Sequence, residues 1–171
     1  MPKILILEVL IFIAATTLSF FWNTRAAAGG VQNRVLDYPP AILARCRELG
    51  IVPEVTEEAR YDTRKVKSVF FYILLQTCLI FFLGRAQSFL EAWLESYLMW
   101  VTQLWFQKLF MGCGWFCHSD RWIIPGTEDL RDVYQDPKPH IQAAVLGMST
   151  RAILAAPVGF LVTLLIDLTA K

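Results

Sequence analysis

The chain has 171 residues, of which 56% are hydrophobic, 13% aromatic and only 18% charged, with a formal net charge of +1. That is too apolar for an ordinary soluble domain of this length, and it lacks the strongly basic face that a nucleic-acid partner requires. The four cysteines, Cys46, Cys78, Cys113 and Cys117, do not make a secreted disulfide framework and read as free thiols.

The apolar residues come in blocks. A hydrocarbon core about 30 Å thick takes about 20 apolar residues as a helix, with about 17 tolerated. The first block, residues 4–22, is interrupted only by Glu8. Residues 68–84 are uncharged and bracketed by Lys67 and Arg85, which makes them the cleanest span. Residues 89–111 carry Glu91, Glu95, Gln103, Gln107 and Lys108, yet Trp93, Tyr97, Trp100 and Leu104 form an apolar stripe at helical spacing that supports a third span. Residues 141–168 close the set, with Pro157 expected to kink the helix rather than end it. The expected fold is therefore an all-α integral membrane protein, a single domain of four transmembrane helices over residues 1–171.

Charge placement sets the expected orientation. Arg25, Arg34, Arg45, Arg47, Arg60, Arg64, Lys65 and Lys67 lie between the first two spans, and Arg121, Arg131 and Lys138 follow the third. Only Lys3, Arg85 and Lys171 lie on the other side, so the positive-inside rule places both long loops (23–67 and 112–140) in the cytoplasm and both termini outside the plasma membrane. A signal peptide over residues 1–28, cleaved at Ala26-Ala27-Ala28, is the rival for the first block; its apolar run exceeds the roughly 7–15 residues of a typical apolar core, and Glu8 sits badly within one.

Both loops carry structure signals. Tyr38-Pro39-Pro40 followed by AILARCREL and Gly50 predicts a short helix over 40–49, with Ile42, Cys46 and Leu49 on one face, lying on the membrane surface or on the cytoplasmic ends of the spans. Thr56-Glu57-Glu58 resembles a helix start leading into the second span. In the third loop, Gly112 and Gly114 are expected to end the span, Trp115, Phe116 and Trp122 to sit at interfacial level, Pro125-Gly126 to turn, and Thr127 to cap an acidic helix begun by Glu128 and Asp129. The segments W-F-C-H-S at 115–119 and I-P-G-T-E-D at 124–129, with His140 opening the last span, resemble an uncharacterised family of small bacterial, Firmicutes-type multi-spanning membrane proteins. The resemblance implies a bacterial membrane protein and no activity; Gln107 stands after Trp105-Phe106 where the resemblance leads one to expect an acid.

Polar residues at membrane depth are the candidate site. Counted at about 1.5 Å per residue, Gln76, Gln103 and Arg151 fall at one level, about 12 Å in from the cytoplasmic boundary, with Thr16 and Thr17 slightly nearer the cytoplasm. His140, Ala144, Gly147, Arg151 and Ala155 share a stripe, so small residues flank the guanidinium. Arg151 either snorkels to the cytoplasmic headgroups or forms an intramembrane anion site. Toward the other face, Glu8, Glu91, Glu95 and Arg85 form a carboxylate cluster that pairs ionically at the interface or else holds a cation or relays protons.

No metal or cofactor signature is present. Cys113-x3-Cys117-His118 misses haem-attachment spacing by one residue, no second pair completes a zinc site, and no H-E-x-x-H, paired E-x-x-H, P-loop or G-x-S-x-G occurs. The first expectation is thus a non-catalytic membrane component, an accessory subunit or small channel or transport part, with the lipid bilayer and a homo-oligomer or larger complex as partners. The alternative is a lipid-headgroup or phosphate-directed enzyme of the cytoplasmic leaflet, with Arg151 holding phosphate and His118 or His140 and Glu128/Asp129 supplying acid and base.

Overall fold

The computed structural model describes residues 2–26, 38–51, 63–84 and 86–170. The helix start expected at Thr56 to Glu58, Arg85, and Ala27 and Ala28 of the cleavage motif lie outside the described residues. Six α-helices are seen: α1 (Pro2–Ala26), α2 (Pro40–Glu48), α3 (Thr63–Phe82), α4 (Phe89–Phe106), α5 (Arg131–Gln135) and α6 (Lys138–Thr169), with no strand among the described residues.

α1, α3, α4 and α6 pack as a bundle whose register is set by a few large side chains. α6 runs antiparallel to α4 along its whole length: Gly159 lies against Phe89, the Trp93 indole N–H donates to the Ala152 carbonyl at 3.0 Å, and Gly147 lies against Leu104. The small-residue stripe on α6 allows this approach, since a Cβ added at Gly147 would come within 3.0 Å of a Leu104 methyl. Phe12 meets Trp100 at 5.1 Å between ring centroids and Phe21 meets Trp115 at 5.4 Å, so α1 runs parallel to α4. Tyr72 also faces Trp100, and Gln76 faces Ser96, so α3 is antiparallel to α4. The topology is up-down-up-down, the simplest way to bury one stripe from each of four helices joined by connections. Pro157 sits on the exposed side of α6 and does not end it.

α1 over Ile4–Phe21 and α6 are long and apolar enough to cross a membrane; the apolar part of α3, Val66–Phe82, is shorter. Of the four expected spans, the first and the last thus qualify by length and composition. The third long helix departs from its expected end at Met111: it continues to Phe116, with Gln107–Phe116 wound as a π-helix. Gly112 does not break the helix because its missing side chain is filled from outside. A Cβ there would come within 2.8 Å of His140 Nδ1, so the imidazole at the start of α6 rests directly on the backbone of the π-segment.

Beyond that segment lies a second small core of Tyr38, Ile42, Cys46, Ile124 and Tyr134, flanked by Phe116, Leu130 and Val133. It corrects the placement of α2. Ile42 and Cys46 do share a buried face, but that face packs on the third loop rather than on lipid, and Leu49 is left exposed. The Tyr38 hydroxyl donates to the Trp122 carbonyl at 2.9 Å, tying the two loops together. Gly126, at φ 91°, supplies the positive φ that a Pro-Gly turn needs, and the Thr127 N–H closes the turn on the Ile124 carbonyl. Thr127 makes no side-chain cap; its buried hydroxyl donates to the Ile124 carbonyl at 2.8 Å and meets the Tyr134 hydroxyl at 2.8 Å.

Cys117 adds a pH-sensitive element to this cap. Burial, then Cys113 and Asp136, push its thiol up to about 11 from an ordinary 9.0. The native thiol keeps its proton where the unfolded one has lost it, so this burial stabilises the cap fully below pH about 9 and the contribution is lost as pH rises toward about 11. Fluorescence of Trp115 and Trp122 is expected to report weaker cap stability on raising the pH through that window. Cys117→Ala is expected to flatten the slope; an unchanged slope would show that other groups control it.

Candidate functional site

The bundle core is built on apolar side chains such as Phe12, Ile80, Met99, Trp100, Val158 and Val162, and polar side chains are buried among them. Glu8, Thr16, Gln76, Thr77, Ser96 and Gln103 are all buried there. Thr16 and Thr77 satisfy themselves by donating to carbonyls one turn back, at 3.0 and 2.8 Å. The longer side chains do not. Among the described residues, Glu8 Oε1 and Oε2, Thr17 Oγ1, Gln76 Nε2, Trp100 Nε1, Gln103 Oε1 and Arg151 Nε are buried without a hydrogen-bond partner.

These groups do not form the single layer expected. Ser96 Oγ donates to Gln76 Oε1, which fixes Gln76 at the Ser96 level of α4. Arg151 lies over the Trp100 ring, its guanidinium carbon 5.4 Å from the centroid, one helical turn along. Gln103 stands three residues further. The spread from Ser96 to Gln103 is seven residues, roughly 10 Å along the axis. Counting from span boundaries assumed a common starting line, whereas the register follows the aromatic contacts at Trp100.

Arg151 is half-buried, with no carboxylate partner among the described residues. A desolvated cation–π contact is worth about 2 kcal/mol. An arginine at mid-membrane costs about 2.5–3.5 kcal/mol on insertion scales, a cost that a contact of this kind offsets in large part. Trp100 therefore acts as platform for the guanidinium, a role its place in an apolar stripe did not reveal.

The carboxylate cluster divides. Glu91 is exposed, accepts from the Gln87 N–H at 2.7 Å, and follows Ser88, whose hydroxyl accepts from the Glu91 N–H at 3.3 Å. It belongs to the helix start, and the Ser88-x-x-Glu91 spacing was the available signal. Glu8 is fully buried, and its carboxyl faces that of Glu95 closely enough to interact without a formed hydrogen bond.

The loop candidates His118, His140, Glu128 and Asp129 do not converge. Exposed His118 turns its Nδ1 onto the Cys113 and Gly114 carbonyls, both at 3.0 Å. His140 packs on Gly112 and on the Phe116 ring at 5.3 Å. Glu128 accepts from the Gly126 N–H at 2.9 Å, and the backbone N–H groups of Glu128 and Gly126 hold its carboxyl below the usual range. Asp129 lies 3.8 Å from Arg45, and the adjacent Glu48 and Asp129 raise that guanidinium further. Among the described residues no group of three or more His, Cys, Asp and Glu could hold a metal ion.

Among its described residues the chain is all-helical, with two helices long and apolar enough to cross a membrane. Compared with family models, with curated proteins and with solved structures, the chain finds no match.

Proposed function

We propose that the chain is a non-catalytic, four-span component of a bacterial plasma membrane, an accessory subunit or small channel or transport part with a polar interior around Arg151. The observation that carries this reading is the dress of the bundle, apolar over its outer surface with polar side chains buried in its core. Large hydrophobic side chains stand exposed on all of its helices, including Leu10 and Leu18 on α1, Phe70 and Leu74 on α3, Leu94 and Leu98 on α4, and Leu146 and Ile153 on α6. A monomer in water rarely exposes contiguous apolar surface on that scale, whereas lipid requires it. α3 and α4 are thereby dressed for lipid like their neighbours, although α4 carries acids in its sequence. The leaflet-enzyme alternative lacks comparable support, because His118, His140, Glu128 and Asp129 each have a separate local contact.

Both long loops face the cytoplasm in this proposal, with the termini outside. Cys46 is too deeply buried to report sidedness, so exposed positions serve in a background without the native cysteines. An impermeant maleimide on intact cells is expected to label Ala170→Cys, and to label Asp132→Cys only after permeabilisation. Equal labelling of the two in intact cells, or recovery of the chain in the soluble fraction, refutes the topology. A chain that is only monomeric in mild detergent, and cross-links to no neighbour in its native membrane, refutes the subunit role.

A further inference from the structure

Glu8 is the least accommodated side chain in the bundle. It is fully buried, neither oxygen has a hydrogen-bond partner, and the carboxyl of Glu95 on the adjacent helix lies within interacting distance. The helix register requires this meeting independently. Phe12 is level with Trp100, so Glu8, one turn earlier on α1, falls beside Glu95 and Ser96 on the parallel helix. Gly84 holds the third side open: a Cβ there would stand 3.2 Å from Glu8 Oε1.

No cation answers the pair among the described side chains. On α4 the other acid, exposed Glu91, is turned to the Gln87 N–H. α3 presents Gly84 and Ile80, and α6 presents Ala155 and Ala156 at this level, with Arg151 a turn away over Trp100. Lys3 and Arg85 lie outside the described side chains. A fully buried carboxyl with neither a cation nor a hydrogen-bond donor, facing a half-buried second carboxyl, is the arrangement in which two acids share one proton.

A second, independent feature points to where such a proton travels. The unpartnered polar atoms form an ordered series along α4: Glu8 beside Glu95, then Gln76 Nε2 at Ser96, Trp100 Nε1 with Arg151 Nε, and Gln103 Oε1. Donors and acceptors left open in sequence are the lining that water molecules require.

We propose that Glu8 and Glu95 form a proton-binding site, holding one proton between two carboxyls and exchanging it with water along this seam. Uptake converts one carboxylate and a hydronium ion into a carboxylic acid and water, and release reverses it. The ligand class for the proposed transport part is thus the proton. The inference deepens that reading but does not need the four-span topology, so the maleimide test can fail while this one succeeds.

Infrared spectroscopy of the full chain in detergent, in H2O and D2O across pH, tests it directly. The wild type is expected to show a protonated carboxyl band that persists at pH about 7, well above the ordinary glutamate range near 4.3. The band should shift promptly in D2O, and Glu8→Gln should abolish it. Glu95→Gln removes the facing negative charge and is expected to lower the midpoint by roughly a pH unit or more. The wild-type spectrum decides the matter even if a variant fails to fold. A wild type without the band at neutral pH overturns the proposal, as does a band that never exchanges. A midpoint that falls as sodium replaces another salt at constant ionic strength also overturns it, by showing a metal-cation site.

Discussion

Trp100→Ala is expected to be the most damaging single substitution in the bundle, destabilising it by about 3–5 kcal/mol by analogy with large aromatic deletions in cores. One side chain here joins four helices. The indole is 4% exposed and belongs to α4; it meets Phe12 of α1 at 5.1 Å, Tyr72 of α3 at 6.3 Å, and the Arg151 guanidinium of α6 at 5.4 Å. For the lipid-embedded bundle we propose, the lost energy is packing rather than transfer from water, which points to the lower part of the range. The deletion also strips Arg151 of its platform. Arg151→Met, in contrast, removes a guanidinium without a carboxylate partner and is expected to leave stability unchanged or raise it by about 1 kcal/mol or more. Unfolding in mixed micelles, followed by helicity, measures both, and the double variant gives a coupling of about 0.5–2 kcal/mol if the cation–π contact matters. A Trp100→Ala protein within about 1 kcal/mol of the wild type would contradict its central place.

What the sequence revealed and what it hid follow from the range of the forces involved. The apolar blocks of α1, α3 and α6, the passage through Pro157, and the Pro125-Gly126 turn are local properties, and local patterning announces them. The Gly147 and Ala155 stripe likewise marked the face of α6 that meets α4. The continuation past Gly112 was hidden, because glycine signals an end unless another element fills its space, and His140 does so from 28 positions away. α2 read as a membrane-surface helix for the same reason. An amphipathic face shows that something covers it, but Ile124 and Tyr134 are named only by the fold. Glu91 and Glu95 look equivalent at one-turn spacing, yet Ser88 draws the first into the helix start while α1 brings Glu8 to the second. Hydropathy alone left the third span unsettled, and in the structure α4 turns Leu90, Leu94 and Leu98 outward.

The small core formed by the two loops is expected to respond to Tyr134 as sharply as the bundle does to Trp100. Tyr134 is 3% exposed, and its hydroxyl accepts from the Ile124 N–H at 3.1 Å and meets the buried Thr127 hydroxyl at 2.8 Å. Tyr134→Ala removes the ring that packs on Tyr38 and Phe116 and strands both polar partners, a loss of about 3–5 kcal/mol. Tyr134→Phe keeps the ring and strands only the polar partners, which costs about 1–3 kcal/mol. Cys46 is a built-in reporter, fully buried in the same core. In a background lacking Cys78, Cys113 and Cys117, opening of the cap sets its alkylation rate, and each 1.4 kcal/mol is worth about tenfold. Tyr134→Ala should therefore speed Cys46 labelling by a factor on the order of 100 or more, and Tyr134→Phe by about 5 to 100. Tyr134 touches the end of the third long helix through Phe116 but shares no ring contact or hydrogen bond with the Trp100 core among the described residues, so helicity and that core should be unmoved while Cys46 opens. Loss of both together would show the cap and the bundle to be one cooperative unit, joined through the π-segment and its contact with His140.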